Sequence, residues 1–119
     1  MGDFKALKVW QQGMDIAEKC IKLVADFPKD AVFNLGEQIK RSAISIPSNI
    51  AEGNSRTSNK EYFHFLSISL GSCFELETQL LLAQRTKFGN SELLIEVLDL
   101  IDRERKMLIS LRMKVRDSF

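Results

Sequence analysis

Three groups of residues in this 119-residue chain have types and spacings that could carry chemistry or binding. The first is Glu61-Tyr-Phe-His64, the Glu-x-x-His form that supplies metal ligands in di-iron helical bundles. Such a site needs a second element of the same form and two further carboxylates, yet His64 is the only histidine. Glu61 therefore reads as a helix-capping residue and His64 as incidental, and no metal or other cofactor is expected. Gly53-Asn-Ser-Arg-Thr57 lacks the second glycine of a phosphate loop, and neither a Gly-Lys-Ser/Thr run nor a nucleophile elbow occurs. No catalytic residue is nominated, and the chain is expected not to be an enzyme.

The second group is polar and periodic. Gln38, Arg41, Ser45, Asn49 and Glu52 recur at steps of three and four residues, as do Ser72, Glu75 and Gln79 further along. That spacing places each set on one helical face. Arg41 and Glu75 are natural opposites across such a contact. A buried charge is tolerated when paired and hydrogen-bonded, so one reading is a polar seam that fixes helix register or a subunit contact. The other is a wet groove or central channel that binds something, which would make the protein a small-ligand binder or an enzyme. The third group is basic: Lys5, Lys8, Arg56, Lys60, Arg112, Lys114 and Arg116 share one pole if the helices alternate in direction. There the seven face four acids, Asp3, Glu52, Glu61 and Asp117. Arg112 to Arg116 also complement the negative end of a helix dipole, and Lys60 reads equally as a solvated loop residue. Repeated around a ring, the pole could neutralise several phosphates, so weak contact with RNA or DNA without sequence preference is expected.

Four helical patterns carry these groups. Leu7, Trp10, Met14, Ala17, Ile21 and Val24 alternate steps of three and four, which predicts a first helix over Phe4 to Phe27, ended by Pro28. Asn34 with Glu37 has the form of a capping box for a second helix that runs to Gly53, with Gly53 suited to a left-handed cap. Its apolar stripe is Leu35, Ile39, Ala43, Ile46 and Ile50. Pro47 within it predicts a kink near Ala43 to Ile46, or a break with a short separate helix. Ser58 with Glu61 caps a long third helix to about Lys87. Two apolar arcs run along it, one through Tyr62, Leu66, Cys73, Leu76 and Leu80, the other through Phe63, Leu70, Phe74 and Leu81. That is wider than one packed stripe demands, so contact with other subunits is expected; Gly71 and Ser72 are small enough for close helix approach. After Gly89, Asn90 or Ser91 caps a fourth helix carrying Leu94, Val97, Leu98, Ile101, Leu108, Leu111 and Val115. The expected fold is all-α: an antiparallel up-down-up-down four-helix bundle in a single domain spanning residues 1–119.

Composition fits that architecture. Hydrophobic residues make up 45% and charged residues 28%, and the formal charge is +1, so any attraction to nucleic acid must come from how charge is distributed. Cys20 and Cys73 form no CxxC pair and read as two buried thiols in a reducing compartment. The N-terminus lacks the apolar core of a signal peptide. Tyr62 to Phe74, 13 residues without Asp, Glu, Lys or Arg, is too short for a membrane span of about 20 residues. A soluble cytoplasmic protein without membrane contact is expected.

Several runs resemble a known family. Leu7 to Trp10, the Phe27-Pro28 helix end, Gln38-Ile-Lys-Arg-Ser-Ala-Ile-Ser-Ile-Pro-Ser-Asn-Ile-Ala-Glu-Gly53, Gly71-Ser-Cys-Phe-Glu75 and Glu77 to Leu80 are similar to the 23S rRNA intervening-sequence proteins. Asp30-Ala-Val-Phe33 departs from the aromatic and acidic pair usual in the first turn of that family. The resemblance implies a left-handed antiparallel four-helix bundle that assembles as a homopentameric ring, with no enzymatic activity established. It also implies a likeness to the accessory variability determinant of diversity-generating retroelements, a strongly basic pentamer that binds nucleic acid and a reverse transcriptase.

Overall fold

The Asp3 carboxylate accepts the Lys5 amide at 3.0 Å, and this cap winds Phe4–Ala6 into a 3-10 turn that closes at the extended Leu7. In the computed structural model, which describes residues 2–119, α1 therefore spans Lys8–Ala25, shorter at both ends than periodicity predicts. Pro28 begins the next helical stretch earlier than expected. The amides of Ala31 and Val32 both bond its carbonyl, and the turn Lys29–Ala31 passes through a π-helical segment, Val32–Gly36, directly into α2, Glu37–Asn54. The Asn34 capping box does not form, because a cap serves amides left without a partner at a helix start. Here the backbone is already helical at Asn34.

α2 runs through the buried Pro47 without a break. Gly53 lies inside it rather than in a left-handed cap. Its role is steric: a Cβ there would meet Phe65 Cβ at 2.7 Å and Tyr62 Cδ1 at 3.1 Å. Ser58 caps α3, Asn59–Thr86, by accepting the Glu61 amide at 3.1 Å. Left-handed residues follow α3, at Lys87 and at Gly89, where a Cβ would lie 2.8 Å from Leu23 Cδ1. Asn90 caps α4, Ser91–Arg116, by accepting the Leu93 amide at 2.9 Å.

Among the described residues, these four long helices enclose one core and no strand forms. α1 packs on α2 and α4, α2 on α3, and α3 on α4, giving a body of 46 × 21 × 20 Å. Ile39, Ala43, Ile46 and Ile50 of α2 and Leu66, Cys73, Leu76 and Leu80 of α3 are fully enclosed. On α1 the buried stripe is Val9, Ile16, Cys20 and Leu23, with Gly13 between them. The stripe expected there holds in part: Ala17 and Val24 are buried and Leu7 and Trp10 pack against the core, whereas Met14 and Ile21 stand 46% and 48% exposed. Gly71 is exposed with open space where a Cβ would go, so helix approach on α3 depends on Ser72 instead. Among the described residues no helix is long and apolar enough to cross a membrane.

Cys20 and Cys73 are free and buried; burial pushes Cys20 up to about 12 and raises Cys73 as well, with Glu104 adding to the latter. Glu104 is fully enclosed on α4, between Ile101 and Leu108. Gln12 donates to its Oε1 at 3.2 Å and to the Leu100 carbonyl at 3.3 Å. Oε2 has no partner and lies where a Cβ on Gly13 would come within 3.2 Å. Burial raises this carboxyl to about 8, against a smaller lowering by the Gln12 bond, so it holds its proton at neutral pH. The unfolded chain releases that proton near the ordinary 4.5. The resulting stabilisation is complete below that value and is lost as pH rises to the folded value, by up to about 1.4 kcal/mol per pH unit. The melting temperature is expected to fall from about pH 5 to about pH 8 and then level off, and Glu104→Gln to remove that slope. Equal slopes in both proteins would place the proton elsewhere.

Candidate functional site

Small residues bring α2 and α3 together along one line. Ser45 and Ser72 share a hydrogen bond at 2.8 Å between their hydroxyls. The buried Ser69 donates to the Ile46 carbonyl at 2.9 Å, and Asn54 donates to Tyr62 Oη at 3.3 Å. Moving along α2 from Ser45 to Asn54, the partners on α3 run back from Ser72 to Tyr62. Asn49 folds onto its own helix, donating to the Ser45 carbonyl at 2.8 Å and to Ser45 Oγ at 2.9 Å.

Outside this line the two helices diverge into a cleft of about 570 Å³. Gln38, Arg41 and Ser45 enter it from α2, and Ser72, Glu75 and Gln79 from α3. Six of the eight residues expected in the polar seam thus share one cavity, and Asn49 borders them through Ser45. Glu52 does not belong: it pairs with Arg56 one turn on, at 2.9 Å. Arg41 and Glu75 are exposed on opposite walls, and among the described residues no ion pair joins them. The seam is packed at its serine end and wet at its charged end. Spacing missed Ser42, Phe33, Asn34, Glu37 and Ile68 in the cleft and Ser69 in the packed line beside it. Ser42 and Ser69 interrupt apolar stripes, which was the available signal; Phe33 and Asn34 reach the cleft through the π-helical segment, which no periodicity marks.

The basic residues gather at one end, but several are committed. The 3-10 turn carrying Lys5 packs on α2, and the end of α4 reaches the start of α3, where the Phe63 and Phe119 rings lie 5.7 Å apart. Arg56 covers the Phe65 ring at 4.8 Å besides binding Glu52, and Arg112 covers Phe63 at 5.3 Å and donates to Ser67 Oγ at 3.3 Å. Lys5 lies 5.9 Å from the Phe4 ring, and Arg116 reaches Asp117 at 3.9 Å. Lys8, Lys60 and Lys114 remain as exposed side chains. His64 stacks edge-on against Phe65 beside them, and Glu61 is taken up in the Ser58 cap.

Because the serine end carries the packing, Ser72→Ala is expected to cost about 1 kcal/mol in a denaturant titration, whereas Arg41→Met should stay within about 0.5 kcal/mol. A larger loss from Arg41→Met than from Ser72→Ala would show that the charged end is structural.

The profile of the 23S rRNA-intervening sequence protein family matches residues 5–110. Among solved structures, the chain is similar to a protein of unknown function from the S23 ribosomal protein family of Bacteroides thetaiotaomicron VPI-5482. The two are 26% identical with a TM-score of 0.78, over 87% of this chain and 97% of that one. No curated protein matches the chain. The chain belongs to the family of 23S rRNA-intervening sequence proteins.

Proposed function

We propose that this protein is a non-enzymatic, cytoplasmic, homo-oligomeric helical bundle that works as an interaction module and associates weakly with nucleic acid. The protomer is an antiparallel up-down-up-down bundle. Support comes from contacts whose order reverses between neighbouring helices: Gly13 with Pro47 and Val24 with Gly36, Ser67 with Arg112 and Glu77 with Arg105.

The observation that carries assembly is a pair of unlike apolar faces on one chain. Trp10, Met14, Ile21 and Ile44 line a groove of about 480 Å³ between α1 and α2. Phe74, Leu81 and Leu82, spaced along one face of α3, are 51%, 44% and 49% exposed. Clustered exposed apolar side chains favour contact with a partner, and two different faces on the same chain suit a head-to-tail contact that closes into a ring. Charge is compatible with a second copy as the occupant, since Glu18, paired with Lys22 at 3.2 Å, borders the groove and Arg85 borders the α3 face. The pentameric number follows from the family likeness. In the ring, Lys8, Lys60 and Lys114 of each copy form a repeated basic surface that suits the phosphates of RNA or DNA.

Sedimentation velocity is expected to show an assembly, with Met14→Asp and Leu81→Asp each giving a monomer of unchanged helical content. A monomeric parent protein would refute the assembly. A mobility-shift titration at low salt is expected to show weak binding whose logarithm falls with log salt by about 0.9 per duplex phosphate engaged. No shift at low salt would remove the nucleic-acid half of the proposal.

A further inference from the structure

The cleft between α2 and α3 has a volume of about 570 Å³, inside the range of roughly 300–1,000 Å³ usual for small-molecule sites. Its floor has unused hydrogen-bonding capacity. Ser42 is only 5% exposed and lines the cleft, and among the described residues it makes no side-chain hydrogen bond. Gln79 Oε1 is buried without a partner. An acceptor held that way is costly unless something supplies a proton to it.

The charges narrow the choice of ligand. Arg41 and Glu75 reach the cleft from opposite helices without pairing, while Glu37 at the rim is neutralised by Lys40 at 3.0 Å. One cation and one anion therefore stand apart in a cavity of no net charge. A phosphate or nucleotide would meet Glu75 as well as Arg41, and an apolar molecule would strand the polar floor. The Phe33 ring, 80% exposed on the π-helical segment, stands at the rim; such segments are frequent at functional sites.

We propose that this cleft binds a small α-amino-acid-type zwitterion, a free amino acid or short peptide. Arg41 takes the carboxylate by paired N–H bonds, the geometry for which a guanidinium is suited. Glu75 takes the ammonium group, Gln79 Oε1 accepts one of its remaining protons, and Ser42 donates to a carboxylate oxygen. Phe33 lies over the ligand's side chain. The site binds without turning the ligand over, since neither Ser45 nor Ser72 is bonded to a base that could activate it. The inference is independent of assembly, because every residue named comes from one chain.

The test is a chemical-shift titration of the full-length isotope-labelled protein with single L-amino acids at millimolar concentration. At least one is expected to shift the Gln79 and Gln38 side-chain amides saturably. Arg41→Gln and Glu75→Gln, at unchanged melting temperature, should each weaken that binding by about tenfold or more. The N-acetyl amide of the same amino acid should not bind. The proposal is overturned if no amino acid saturates, if binding survives both substitutions, or if the charge-blocked derivative binds equally. It is equally overturned if diluting the protein shifts the Gln79 amide while amino acids leave it unmoved, because a second copy would then fill the cleft.

Discussion

All four helices draw close around the layer of Gly13, Ile46 and Pro47, and the placing of the other elements follows from that approach. A proline inside a helix removes a backbone bond and crowds the preceding turn, at a cost of about 3 kcal/mol. Around it the chain places residues small enough to let neighbours close in. Gly13 of α1 approaches Ile46 and Pro47 so closely that a Cβ would stand 3.4 and 3.5 Å from their side chains. Ser69 of α3 bonds the Ile46 carbonyl, and Glu104 of α4 fits beside Gly13. The middle of the bundle is consequently its most polar layer. Ile16, Ile39, Leu76 and Ile101 are fully enclosed in the same core, and their burial offsets the cost of holding a proline and a protonated carboxyl there.

Close packing at that layer shapes the surfaces on either side. Where serines hold α2 to α3, the contact is tight; farther along, Arg41, Gln38, Glu75 and Gln79 are too long to interdigitate, and the cleft opens. On the other side of α2, the same helix meets α1 through Gly13 and leaves the side chains of Met14, Ile21 and Ile44 lining a groove. A polar cleft and an apolar groove lie on opposite flanks of one helix. The shape of each comes from where small residues end and large ones begin.

Much of this was legible in the sequence where one periodic signal acted alone. Ser58 with Glu61, Asn90, and the stripes of α2 and α4 are local patterns that the tertiary structure does not override. The errors fall where two signals competed. On helix 1 heptad regularity selected Ala17 and Val24, which are buried, together with Met14 and Ile21, which are not, because the approach of α2 depends on Gly13, a residue that contributes no hydrophobic signal. Asn34 looked like a cap because nothing local announced that Pro28 had already started the helix. Glu104 interrupts the apolar stripe between Ile101 and Leu108, the same signal that Ser42 and Ser69 give, but the sequence does not say what would make its burial tolerable. Its partner, Gln12, lies on a helix remote in sequence, and only their packing makes the pair visible.

If the groove on α1 and α2 and the exposed face of α3 are two halves of one contact between copies of this chain, the native protein assembles, and small-angle X-ray scattering reads that assembly. A single chain has a radius of gyration of 14.6 Å; the account predicts a value well above this that persists on dilution. A value that stays near 14.6 Å at every concentration would contradict it.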